Sequence, residues 1–209
     1  MKFNNLPKLL FDYLNGIDNA NTVYHVTSDF YKNDIVQNGL VRKAYLESRH
    51  INSLKQLLNK PDFQDLNVNI TYPFGFPNET IIEAIENSFN NSSSTTFPIS
   101  ACESFTDVFR FLTEDFKGGQ YLKRIKELVK TINQRICDNA SLINQIDNNV
   151  LDVIDFIKKI NQSNFLICII DKSNLTPSEN NLDIFHTLSQ IGVNEILEII
   201  DVDKNIDLN

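Results

Sequence analysis

The chain reads as an α+β domain. Three short apolar runs, at residues 22–24, 165–171 and 195–202, have the length of strands. Between and around them lie amphipathic segments of helical period, two of which follow one another with no strand between them. With 209 residues, 42% hydrophobic and 22% charged, the chain suits one soluble domain with a full core.

Residues 5–14 predict a short helix with Leu6, Leu9, Leu10, Phe11 and Leu14 on one face, ended by Asn15-Gly16. Thr22-Val23-Tyr24 predicts a strand with His25 at its mouth. Thr27, Ser28 and Asp29 can each cap a following helix. Phe30 to Gln37 has helical spacing, and Asn38-Gly39 is a stop. This unit sets one imidazole beside helix-start N–H groups, which suit anionic oxygens.

A helix is expected over about 51–59, stopped by Pro61. Residues 61–79 carry three prolines and a glycine and read as loop with one short strand near Val68–Ile70. Thr80–Phe89 predicts a helix capped by Asn78 or Thr80, and Asn90–Thr96 a polar surface loop. Phe97–Cys102 reads as a strand ending in Ser100-Ala101-Cys102, running straight into a helix with apolar positions 105, 108, 109, 111 and 112.

After Gly118-Gly119 two long helices are predicted, about 120–137 and 141–160. Their stripes are Leu122, Ile125, Leu128, Val129, Ile132, Ile136 and Leu142, Ile146, Val150, Ile154, Ile157, Ile160. Phe165–Asp171 is continuously apolar, as a buried central strand requires. Residues 172–181 form a polar turn, 183–191 a helical or irregular piece carrying His186, and Glu195–Val202 the last strand, expected to be buried on both faces.

The net charge of −8 argues against an electrostatic grip on nucleic-acid phosphates. Cys102, Cys137 and Cys168 are odd in number and lack CxxC spacing, which reads as reduced thiols in a cytoplasmic protein. Delivery into another cell by a dedicated apparatus would leave no mark. No run approaches the roughly 18 apolar residues of a membrane span. The three histidines show no metal-ligand spacing.

Tyr24-His25-x-Thr27-Ser28 followed by a short helix ending in Asn38-Gly39-Leu40 resembles the first segment of ADP-ribosyltransferase-like domains, the NAD-using fold of several toxins and modifying enzymes. Ser100-x-Cys102 feeding an apolar helix resembles that family's second segment. The order is also the family's. The resemblance implies a split antiparallel sheet pair in a single domain, 1–209, with helical insertions at about 43–95 and 118–162.

It further implies NAD as co-substrate and transfer of ADP-ribose to a macromolecular target, protein or nucleic acid. His25 would hold a ribose hydroxyl, with Tyr24 and Thr27 beside it in the cofactor site. Ser100 would orient a catalytic glutamate, and Phe105 or Phe109 would lie against the nicotinamide. The glutamate is expected at the start of a late strand, where Gly192-Val193-Asn194-Glu195 fits, with Glu198 as the competing choice. Departures are Val193, where many arginine-modifying relatives have Gln or Glu, and Val26, where a small residue is usual.

Two rival readings stand beside this one. Cys102 at a helix start could act as a nucleophile with His25 or His186 as base, although Glu103 beside it opposes a thiolate. Alternatively the chain is a binding module that meets a protein partner through the 120–160 helical hairpin.

Overall fold

The computed structural model describes residues 2–3, 7–17, 21–41, 46–70, 79–93, 99–113, 119–177, 184–187 and 190–203. The chain divides into two compact units. Residues 1–42, 95–118 and 162–209 form the first, and residues 43–94 and 119–161 form the second. The stretches read from sequence as two insertions into one domain thus lie together in a unit of their own.

In chain order, β1 (Lys2–Phe3) is followed by α1 (Pro7–Asn15), which opens on a proline whose missing N–H costs nothing at a helix start. β2 spans Thr22–Ser28. It is longer than the expected strand at 22–24 because all seven residues pair with a later strand, and all but His25 are buried. His25 therefore stands mid-strand rather than at the strand's mouth. The Ser28 hydroxyl accepts the Phe30 N–H at 3.0 Å and starts a 3-10 turn at 29–31, which leads into α2 (Lys32–Asn38). Gly39 stops α2 at φ 76°.

α3 (Ser48–Leu58) starts where the Glu47 N–H donates to His50 Nδ1 at 2.8 Å. β3 (Asn69–Ile70) and β4 (Glu79–Thr80) make a small antiparallel ribbon. α4 (Ile81–Ser93) is capped by Thr80, whose N–H and hydroxyl donate to the Glu83 carboxylate at 2.7 and 2.8 Å. It runs into the Asn/Ser stretch read as loop; Asn78 and residues 94–98 lie outside the described residues. β5 (Ile99–Cys102) leads into α5 (Phe105–Thr113).

α6 (Gly119–Asp138) is followed by a 3-10 segment, Ala140–Gln145, and then α7 (Asn148–Gln162). The second hairpin helix thus begins seven residues later than the expected 141, because Asn139 and Asp147 each cap a separate start: Oδ1 of Asn139 accepts the Ser141 N–H, and Oδ1 of Asp147 the Val150 N–H at 2.9 Å. Of the two predicted stripes, ten of the twelve residues are buried; Ile136 and Ile154 are half-exposed, and Val153 takes the inward place beside Ile154. Arg124 ties α6 to α4 through the Ala84 carbonyl and the Ser88 hydroxyl, at 3.0 and 2.8 Å.

β6 (Phe165–Asp171), β7 (Thr176–Pro177), β8 (Ile184–Thr187) and β9 (Ile196–Val202) complete the first unit. The sheet order is β1-β9-β6-β2-β5-β8-β7, antiparallel throughout except that β1 runs parallel to β9. β8 corrects the helical or irregular reading of 183–191: four residues are too few to show a period, and β5 supplies their ladder. β9 is only half-covered, with Leu197 56% exposed, and its outer neighbour β1 pairs with Asp201 and Val202 alone.

The architecture is α+β. The expected pair of separate sheets is one sheet here, with a weak join at its centre. β2 and β5 share a single register pair, Tyr24 with Cys102, whereas β2 and β6 share seven. One sheet face carries Tyr24, Val26, Cys102, Ile167, Ile169 and Ile200 and packs under Leu10 and Leu14 of α1 and Val108 and Leu112 of α5. His25 belongs to the opposite face, since successive strand residues alternate.

Candidate active site on the central strands

His25 sits where β2 and β5 part. Its Nδ1 donates to the Ser100 carbonyl oxygen at 2.9 Å. Because a carbonyl can only accept, that bond fixes the neutral tautomer, with the proton on Nδ1 and Nε2 left as the acceptor. Among the described residues nothing is bonded to Nε2. Loss of hydration around the half-buried ring pushes the imidazole below its usual 6.5, an effect only partly offset by the carbonyl. A neutral ring with an accepting Nε2 can take a proton-bearing group such as a sugar hydroxyl.

Ser100 meets His25 through its backbone, not its hydroxyl. Tyr24 opposite Cys102 places Val26 opposite Ser100, so the Ser100 side chain belongs to the face opposite His25. The expectation that its hydroxyl would orient a catalytic glutamate beside the histidine is therefore corrected.

Glu195 does not join them. It closes the 3-10 turn 193–195, where Oε2 accepts the Gly192 N–H at 2.6 Å and Oε1 accepts Asn174 Nδ2 at 2.7 Å. β9 pairs with β6, on the far side of β2 from β5. Register places His25 level with Cys168 and hence Ile199, four residues beyond Glu195. Two strand spacings across and four residues along separate the two Cα atoms by roughly 16 Å. The expectation failed on strand order: the last strand in sequence is not the neighbour of the Ser100 strand. Glu198, the competing choice, accepts the Tyr13 hydroxyl on the α1 side, and that bond pushes the Tyr13 phenol up to about 12.

The aromatic and hydroxyl residues expected around NAD have mostly structural places. Tyr24 is fully buried on the α1 face and donates to the Leu14 carbonyl at 3.4 Å. Phe109 packs against the same core, its ring 6.1 Å from that of Phe11. Thr27 is buried, but on the His25 face two residues along. The Phe105 and His186 side chains lie outside the described residues.

Cys102 is poorly suited to nucleophilic chemistry. It is buried, it faces α5, and burial first of all pushes its thiol up to about 12. Cys168, level with His25, is raised to about 12 by the same cause.

Sequence reasoning missed the residues that share the His25 face. One step from Tyr24–Cys102, His25 is level with Ala101, and Ala101 pairs with Phe185. Lys172 Nζ lies 5.3 Å from the centre of the Phe185 ring and 2.6 Å from Glu103 Oε1. Only the strand order brings these together, because nothing in the spacing of 25, 101, 103, 172 and 185 announces it. No protein-family model, curated protein or solved structure matches the chain. No helix among the described residues is long and apolar enough to cross a membrane.

Proposed function

We propose that the first unit is an NAD-dependent ADP-ribosyltransferase that moves ADP-ribose from NAD to a macromolecular acceptor, protein or nucleic acid. One observation carries the reading: a neutral imidazole fixed through Nδ1 beside the single register pair that joins two central strands, which leaves Nε2 as an acceptor. It is the arrangement needed to hold a ribose hydroxyl while the bond from ribose to nicotinamide breaks. The motif order, His25 strand before Ser100 strand, supports it independently. Glu195, two strands away, is not part of this site.

The first-line test is release of nicotinamide from NAD, together with transfer of label from NAD to protein or RNA in a lysate. His25→Ala is expected to weaken NAD binding and abolish both signals. Wild-type protein that neither binds NAD nor releases nicotinamide overturns the proposal. The binding-module alternative finds less support, because most of the hairpin stripe residues it would use are already buried.

A further inference from the structure

Resting on that reading, we infer that the carboxylate serving the His25 site is Glu103, held in place by Lys172. The argument is one of faces and levels. Phe185 pairs with Ala101, and Ala101 is level with His25, so the three side chains form a row on one face of β2, β5 and β8. In this row the small alanine stands between two rings whose strands are about 10 Å apart, two strand spacings. Lys172 leaves the end of β6, reaches across the start of β2, and sets its ammonium 5.3 Å from the Phe185 ring centre. That ammonium is 2.6 Å from Glu103 Oε1, which brings the carboxylate to the same face.

Glu103 stands at the bend that follows β5, two residues past Ala101, its Cα roughly 8 Å from that of His25 by strand spacing. Its bond to Lys172 is what turns its carboxylate to the Phe185 end of the row. From backbone positions that close, an imidazole and a carboxylate can both reach one ribose ring. By the same geometry Glu195 is about twice as far away. The Glu103 and Lys172 side chains are 34% and 22% exposed, so the pair is sheltered yet reachable.

The chemistry balances without redox change. The bond between ribose C1′ and the nicotinamide nitrogen breaks, and its electron pair leaves with nicotinamide, which becomes neutral. Positive charge develops on the ribose, where the Glu103 carboxylate stabilises it. The acceptor's oxygen or nitrogen bonds to C1′, and its proton passes to the carboxylate and then to solvent. His25 Nε2 holds a ribose hydroxyl throughout. Lys172 is a positioning residue that keeps the carboxylate turned toward the row.

The test uses the full chain, NAD with water as acceptor, nicotinamide release for turnover and calorimetry for binding. Glu103→Gln is expected to lower kcat on the order of a hundredfold or more, with NAD affinity within about twofold of wild type, while Glu195→Gln keeps the wild-type rate. Lys172→Gln should lower kcat without changing affinity, and Lys172→Arg should restore it. A folded Glu103→Gln protein with wild-type kcat overturns the assignment and leaves the His25 reading standing. Wild-type protein without NAD binding or turnover overturns both. Should Glu103→Gln fail to fold, Glu103→Asp replaces it: its carboxylate is drawn back by one methylene, and wild-type kcat in that variant also overturns the assignment.

Discussion

Gly39→Ala is the substitution whose cost the backbone fixes most directly. Gly39 sits at φ 76°, ψ −169°, a region that residues carrying a Cβ almost never enter. A Cβ there would stand 2.1 Å from the Ile191 carbonyl oxygen and 3.0 Å from the Gly192 carbonyl carbon. Both are backbone atoms, so no side chain can swing aside. The same Ile191 oxygen accepts the Leu40 N–H at 2.9 Å, and the Leu40 carbonyl accepts the Ile191 N–H at 3.1 Å. An alanine must therefore push residues 191–192 away and break both bonds, or force residue 39 out of its turn. Backbone strain of about 1–3 kcal/mol and two hydrogen bonds of about 1 kcal/mol each sum to roughly 3–5 kcal/mol. At about 2–4 °C per kcal/mol for a chain of this size, Tm falls by ~10 °C. Urea unfolding followed by far-UV circular dichroism measures the loss. Gly16→Ala is the control, since its Cβ would meet nothing nearer than the Tyr13 carbonyl oxygen at 3.4 Å. Equal stability of the two variants refutes the argument.

Three further outcomes are expected. In the folded protein one thiol reacts quickly with a disulfide reagent at neutral pH, because Cys137 is exposed whereas Cys102 and Cys168 are buried with thiols raised to about 12; denaturation exposes all three, and fast labelling of Cys102 in the native state would revive the thiol reading. Ile132→Ala, at a fully buried position on α6, should cost about 2–5 kcal/mol, and Ile143→Ala, 44% exposed, under about 0.5 kcal/mol; similar losses would place the hairpin stripe wrongly. The folded-state pKa of His25 lies below its unfolded value of 6.5, so below 6.5 the unfolded chain binds more protons, and the contribution to stability is lost as pH falls from 6.5 through the lowered value. An NMR titration giving His25 a pKa above 6.5 would contradict this, and the acid limb of NAD turnover should follow the same titration.

Local signals read well where the rule is local. The Gly39 stop, a cap among Thr27, Ser28 and Asp29, the six apolar residues that open β6 and the stripe of α6 each depend on neighbours within a few residues, so their chemistry was legible in order. β2 was read four residues short because its second half is specified by β6, 140 or so positions away, rather than by its own alternation. The break between the 3-10 segment and α7 was hidden inside a continuous apolar period, which two Asx caps interrupt.

The sequence by itself determined that His25 would follow an early apolar run ahead of the Ser100 strand, and that the 120–160 helices would bury apolar stripes. Tertiary structure alone decided which strands became neighbours. β8, not β9, took the place beside β5, which put Phe185 in His25's row and left Glu195 two strands away. The reason is that periodicity specifies which face a residue occupies, whereas lateral order is set by how all the strands together cover one core, and no segment carries that information alone.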